Sequence, residues 1–275
     1  MRTQAEKGKA FRALHQRSLA FVIPNPWDVG TARLLAHLGY EALATTSAGY
    51  AFSLGLSDNA VGRERMLSHV AEIVSATDLP VSADLENGFG DDPKLVAQTI
   101  QLAAATGLAG GSIEDATGRD GDPIYEHGLA VDRVRAAAEV ARSLPYDFTL
   151  TARCENYLVG RRDLKDTIKR LQTYQDAGAD VLYAPGLTGK DDITAVVRSV
   201  DRPVNILSAL QGVALDVATL SALGVKRISV GSALSRAAYG AFLRAAREMK
   251  EHGTFNYTQE AVPYREINGL FKAQT

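Results

Sequence analysis

The stretch Leu79-Pro-Val-Ser-Ala-Asp-Leu-Glu-Asn-Gly-Phe-Gly90 begins as a short apolar run and ends in two carboxylates two residues apart, followed by two glycines. An apolar run of this length reads as a buried strand, and Asp92-Pro93 just beyond reads as a helix cap with proline in the first turn. Lys94 to Ala105 then carries Leu95, Val96, Ile100 and Leu102 at helical spacing. Strand, polar turn and amphipathic helix follow one another here as a single unit.

The same unit recurs along the chain. Candidate strands are Phe21–Ile23, Ala42–Thr45, Pro80–Ala83, Gly110–Ile113, Phe148–Ala152, Asp180–Tyr183, Pro203–Ile206 and Lys226–Val230. Helical patterns lie between them, from Asp28 to Leu38, Val131 to Leu144, Leu164 to Ala177 and Ile193 to Val200. Ala177-Gly-Ala-Asp180 and Leu223-Gly-Val225 each end a helix on glycine and feed the next strand. Eight such units predict a (β/α)8 barrel. An open doubly wound sheet would place a glycine-rich phosphate loop after its first strand, where Asn25-Pro-Trp27 stands instead. Residues 1–275 read as one barrel domain, with an N-terminal helix in 1–19, the barrel in 20–251 and a helical extension in 252–275. Gln4 to Gln16 and Tyr257 to Phe271 carry the helical patterns of the two ends.

Bulk properties narrow the function. Hydrophobic residues make up 46% and charged residues 23% of 275, an ordinary globular balance. A formal net charge of −2 offers no basic footprint for nucleic acid. No apolar run is long enough to span a bilayer, and the N-terminus lacks the apolar core of a secretory signal. The single cysteine, Cys154, excludes an internal disulfide and suits a reducing compartment. A cytoplasmic protein without membrane or nucleic-acid partners is expected. Strand alternation turns Cys154 away from Arg153, so it reads as a buried, inert thiol.

Barrel chemistry gathers where the strands finish. Those positions hold Trp27 and Asp28, then Thr46-Ser-Ala-Gly49, Asp84 with Glu86, Glu114 with Asp115, and Arg153 with Glu155; Asn205 falls in the seventh strand. Carboxylates crowded at one mouth raise each other's pKa unless a cation neutralises them. Oxygen ligands without His or Cys select Mg²⁺ or Mn²⁺ over zinc. Alone, Asp84 and Glu86 could be an ordinary turn, and Asp58 in Ser57-Asp-Asn59 could be a helix cap.

DLENGFG (84–90), SIED (112–115) and TARCEN (151–156) together resemble the isocitrate lyase/phosphoenolpyruvate mutase superfamily. TTSAGYAFSLGLSDN (45–59) resembles its second-strand loop, and the likeness runs from about Phe21 to Gly231. The resemblance implies Asp84 as direct Mg²⁺ ligand, with Glu86, Glu114 and Asp58 holding the ion through water. It implies that Arg153 meets the enolate oxygen or a substrate carboxylate. Backbone N–H groups near Ser47, Ala48 and Gly49 would bind carboxylate oxygens, while Glu155, counted with Arg153 as catalytic, and Asn205 would line the same pocket; Trp27 reads equally as a wall of the pocket or as barrel packing. The implied chemistry is C–C cleavage beside a small 2-oxo acid, in a tetramer of dimers that exchange C-terminal helices. The span Ala116 to Gly128 lacks the family lyases' cysteine and the mutases' lysine and asparagine, and Tyr183-Ala-Pro-Gly186 replaces the mutases' histidine. Decarboxylation of an oxaloacetate-type acid is therefore the leading expectation. Phosphonate-forming or phosphonate-hydrolysing chemistry and a non-catalytic 2-oxo dicarboxylate binder are the alternatives. Tyr125, Glu126 and His127 are the candidate acids in that lid segment.

Overall fold

The computed structural model describes residues 2–209 and 215–272; Met1 and 273–275, at the tips of the two expected terminal segments, lie outside them. In chain order the elements are α1 (Gln4–His15), β1 (Phe21–Ile23), α2 (Val29–His37), β2 (Leu43–Ala44), α3 (Ser47–Ser53) and α4 (Arg63–Ser75). They continue with β3 (Val81–Asp84), α5 (Pro93–Ala104), β4 (Gly110–Glu114), α6 (His127–Ser143), β5 (Thr149–Arg153) and α7 (Leu164–Ala177). The last are β6 (Val181–Tyr183), α8 (Lys190–Arg198), β7 (Val204–Leu207), α9 (Val217–Ala222), β8 (Arg227–Ser229), α10 (Ala233–His252) and α11 (Tyr264–Lys272).

The strands are parallel in the order β1-β8-β7-β6-β5-β4-β3-β2. Between β1 and β2 the seam is drawn together by Ala44 N–H on the Pro24 carbonyl and by Asn25 Nδ2 on the Thr45 carbonyl, both at 3.1 Å. Asn25 Oδ1 also accepts the N–H groups of Val230 and Gly231, so one side chain ties three strand ends together. The result is a (β/α)8 barrel with helices outside.

Local signals account for most of the elements. Asp28, Asp92, Asp163 and Asp216 each accept a first-turn N–H at the start of their helices. Gly178 closes α7 with φ of 114°, a left-handed conformation that glycine adopts without steric cost. Three expectations shift. The helix expected from Val131 begins at His127, because Glu126 caps it by accepting Leu129 N–H. Asp58 is not a cap: α4 starts at Arg63 after Gly62, and the Asp58 carboxylate turns to the barrel mouth. The helix expected over Tyr257 to Phe271 divides into a 3₁₀ turn, Asn256–Gln259, and α11, because Pro263 cannot donate the N–H that a continuous helix needs. Within this chain α11 rests on α2, with Phe271 against Gly30.

The floor of the barrel is sealed by α1. Phe11, Leu14, Phe21, Ile23, Ala42 and Ala109 form a separate buried cluster there. The His15 ring packs edge-on between Phe11 and Phe21, with centroids 4.8 and 5.0 Å away. Gly8 lets α1 lie close, since a Cβ there would stand 2.1 Å from the Asp147 carbonyl oxygen. Burial pushes the His15 imidazole down to about 3, so it is neutral in this apolar floor.

Candidate active site

At the opposite mouth, β3 ends on Asp84, β4 on Glu114 and β5 on Arg153, with Glu155 two residues beyond. The register pairs Glu114 directly with Arg153, so these side chains stand on one face of adjacent strands. Arg153 is the hub. Its Nη1 meets Asp84 Oδ1 at 3.0 Å, its Nη2 meets Glu114 Oε2 at 3.1 Å, and its Nε meets Glu155 Oε1 at 2.8 Å. The Tyr183 ring lies 5.2 Å from its guanidinium carbon. None of the four charged side chains is more than 17% exposed. The three carboxylates hold the guanidinium well above its ordinary range against the opposing effect of burial.

Ser47 joins the second strand loop to this cluster. Its N–H and hydroxyl both reach Asp84 Oδ2, at 3.2 and 2.9 Å, and the hydroxyl also lies 3.1 Å from Asp58 Oδ1. The single hydroxyl proton is shared between the two carboxylates. Burial, then the nearby Asp84 charge, raises the Asp58 carboxyl. Thr45 Oγ1 accepts the Asp84 N–H at 2.9 Å and fixes the strand end.

The Leu85–Gly90 turn is strained, since Glu86 and Phe89 adopt φ of 49° and 60°. Each such residue costs on the order of 1 kcal/mol or more and must be held by its surroundings. Arg133 of α6 supplies that hold: it is buried, donates to the carbonyls of Asn87, Gly90 and Asp91, and lies over the Tyr125 ring. Glu86 Oε1 is buried without a hydrogen-bond partner among the described residues. Burial, reinforced by Asp84 and Asp58, lifts the Glu86 carboxyl to about 8. Glu114 is likewise raised well above the usual carboxylate range, burial outweighing Arg153.

A cavity of ≈ 170 Å³ runs down the barrel axis beneath this cluster. Of the residues expected at the site, Ser47, Ala48, Asp58, Asp84, Arg153 and Asn205 line it. Glu86 and Glu114 open instead to a neighbouring hollow with Arg63, Asn87 and Thr117. Glu155 is buried against Arg153, and its N–H donates to Asp115. Trp27 and Gly49 stand outside the cavity. Gly49 is a packing glycine, since a Cβ there would stand 2.6 Å from Thr46 Cγ2 and 3.1 Å from Trp27 Cβ. Its N–H is taken by Thr46 Oγ1 and that of Ser47 by Asp84. Of the three expected amide donors, Ala48 N–H alone makes no hydrogen bond among the described residues.

The lid departs from expectation. Tyr125 is buried and hydrogen-bonds Asp91 Oδ1 at 2.5 Å, Glu126 caps α6, and His127 Nε2 pairs with Thr173 Oγ1 at 2.9 Å. None of the three lines the axial cavity. Asp115 is likewise structural, held by Tyr174 and Arg170. Cys154 is fully buried and its thiol is pushed well up by burial. Arg133, Asn25 and Tyr183 carry no short-range motif, and only their tertiary neighbours reveal them.

Among the described residues no three acidic or His/Cys side chains are poised around one point for an ion, and Arg153 stands between the carboxylates. The donor set nevertheless suits a hard divalent cation. It is all oxygen, one buried carboxyl oxygen is unpartnered, and burial with mutual repulsion works against the charged form of Asp58 and Glu86.

Comparison with known proteins shows the family. A family model described as phosphoenolpyruvate phosphomutase matches residues 11–250. A Burkholderia cenocepacia J2315 crystal structure, provisionally described as a lyase/mutase, is 65% identical with a TM-score of 0.95, covering 98% of this chain and 96% of that one. Escherichia coli K12 2-methylisocitrate lyase is 33% identical over 189 residues, 66% of this chain and 62% of that protein. Oxaloacetate decarboxylase of Pseudomonas savastanoi pv. phaseolicola is 27% identical over 250 residues, 88% of this chain and 84% of its own. With its strand-end acids gathered around one arginine, the chain belongs to the phosphoenolpyruvate mutase family, within the isocitrate lyase/phosphoenolpyruvate mutase superfamily.

Proposed function

We propose that this protein is a magnesium-dependent lyase that cleaves the C–C bond beside a small 2-oxo acid, with decarboxylation of an oxaloacetate-type acid as its reaction. The observation that carries the reading is Arg153, a buried guanidinium facing the axial cavity and shared by Asp84, Glu114 and Glu155. Asp84 would hold the ion, with Glu86, Glu114 and Asp58 around it. An ion held there would supply positive charge to offset the negative charge that grows on the substrate's oxygens as the bond breaks.

The chain's own groups account for the rest. Ala48 N–H, at the start of α3, is available to a substrate carboxylate oxygen. Arg153 presents its planar fork to the 2-oxo oxygen, where negative charge grows as the departing carboxylate leaves as CO₂. The electron pair of the broken bond then resides on an enolate, which takes a proton to give the shortened 2-oxo acid. Because Tyr125, Glu126 and His127 are engaged elsewhere, that proton comes from water. Glu155 fixes the Arg153 fork through Nε, while Nη1 and Nη2, paired with Asp84 and Glu114, each carry a second N–H for the ligand.

The relative named as an oxaloacetate decarboxylase supports this reaction. The test is turnover of oxaloacetate with Mg²⁺ and with a chelator in its place. Pyruvate and CO₂ formed only with the metal sustain the reading. Cleavage of phosphonopyruvate in place of oxaloacetate would move the protein to P–C chemistry, and binding without turnover would make it a 2-oxo dicarboxylate-binding protein.

A further inference from the structure

Arg227 begins β8 and points into the barrel below the carboxylate cluster. It is 5% exposed, lines the axial cavity, and its Nη1 is buried without a hydrogen-bond partner among the described residues. Its register partners are Phe21, which packs on the α1 floor, and Asn205. Asn205 Oδ1 accepts Arg227 Nε at 2.9 Å, while Asn205 Nδ2 donates to Ser229 Oγ at 2.9 Å. The guanidinium is therefore oriented by neutral groups. Among the described residues no carboxylate stands within ion-pair distance of it, whereas Arg153 above is paired with three.

That contrast is physically expensive. A buried cation without a counter-charge is destabilising, and apolar side chains of similar length fill barrels without that penalty. Arginine also stays charged: burial lowers Arg227 to about 10, still above neutral pH. A fixed positive charge with an unpartnered N–H at the floor of a polar cavity is the local chemistry of an anion site.

The geometry points to Arg227 as a specificity residue: it receives a second carboxylate of the ligand, at the end remote from Arg153, and selects dicarboxylates over monocarboxylates. This rests on the proposed 2-oxo acid reading for the orientation of the ligand, but the anion site itself can be tested apart from it.

The full-length protein is titrated calorimetrically, in MgCl₂, with oxaloacetate, with pyruvate, and with malonate, a dicarboxylate that lacks the 2-oxo group. Arg227→Met keeps the length and removes the charge; Arg227→Lys keeps the charge. Arg227→Met is expected to weaken oxaloacetate and malonate at least ten-fold and pyruvate less than two-fold, with Arg227→Lys recovering part of the loss. Its Tm is expected to stay level or rise, because an unpaired buried charge has been removed. If Arg227→Met fails to fold, Arg227→Lys alone must still favour dicarboxylates over pyruvate, and loss of that preference would overturn the assignment. Equal losses for all three ligands, no loss for any, or a wild type that binds neither dicarboxylate would also overturn it. Should malonate binding depend on Arg227 while oxaloacetate is never turned over, the anion site stands and the lyase reading falls.

Discussion

The two ends of this barrel solve opposite problems with the same strands. At the floor, α1 brings Phe11, Leu14 and His15 against Phe21 and Ile23, and the one ionisable ring there is kept neutral. At the mouth, Asp58, Asp84, Glu86, Glu114 and Glu155 gather around Arg153, and several acids are pushed towards their protonated forms. The face that α1 covers is built for stability and the mouth against it. Buried like charges and left-handed non-glycine residues persist where the surroundings over-determine them, which is the pattern of sites that hold strain for function.

Substitutions can break that division. The largest effect is expected from Asp84→Ala, which should lower oxaloacetate turnover at least a thousand-fold, about 4 kcal/mol of barrier, while Tm changes little. Unchanged kcat would remove Asp84 from the site. Arg153→Met should damage both properties, because it strands three buried carboxylates. A loss of roughly 3–5 kcal/mol in chemical denaturation is expected, together with loss of turnover. Phe11→Ala at the floor should cost about 3–5 kcal/mol of stability by opening a cavity, yet leave kcat near wild type below the lowered Tm. A fall in kcat as large as that of Asp84→Ala would show that the two ends are not independent.

The pH dependence of stability sharpens the comparison. His15 has its folded pKa depressed from 6.5 to about 3, so its contribution is complete above pH 6.5 and is lost as pH falls towards 3. The slope is up to roughly 1.4 kcal/mol per pH unit in that window. His15→Leu should flatten it, and denaturant melts at pH 4, 5 and 7 read the difference. Glu86 works in the other direction, its folded pKa being raised to about 8. The stability tied to its proton is complete below pH 4.5 and fades as pH rises through about 8. The smallest effect is therefore expected from Glu86→Gln in metal-free buffer at pH 4, where both side chains are neutral, a Tm change of about one degree, while the stabilisation conferred by added Mg²⁺ at neutral pH shrinks. A large metal-free loss with an intact Mg²⁺ response would remove Glu86 from the ion's surroundings.

Much of the fold and part of the site were legible from local pattern. Asp28, Asp92 and Gly178 announce helix ends, and each acts through neighbours only a few residues away. Asp84, Glu114 and Arg153 could be placed because a strand end is a local feature and parallel closure turns eight such ends towards one axis. Asp58 was ambiguous between cap and site, and the question turns on Ser47, eleven residues away. Trp27 and Gly49 were expected in the pocket and stand beside it, because strand order does not reveal which side of a loop faces the axis. The acids proposed for the lid were misplaced for a similar reason, since their partners Asp91 and Thr173 lie on other elements.

By itself the sequence determined the alternation of strands and helices, and with it the barrel and the mouth at which the acids collect. Periodicity and caps depend on spacing along one chain, which every folded copy must satisfy. Tertiary structure alone decided that Arg153 is divided among three carboxylates, that Arg133 braces a strained turn, that α1 seals the floor, and that Arg227 lies in the cavity with Nη1 unpartnered among the described residues. Each of these is an electrostatic or packing relation between residues distant in sequence, and burial and charge pairing acquire values only when the chain has closed on itself.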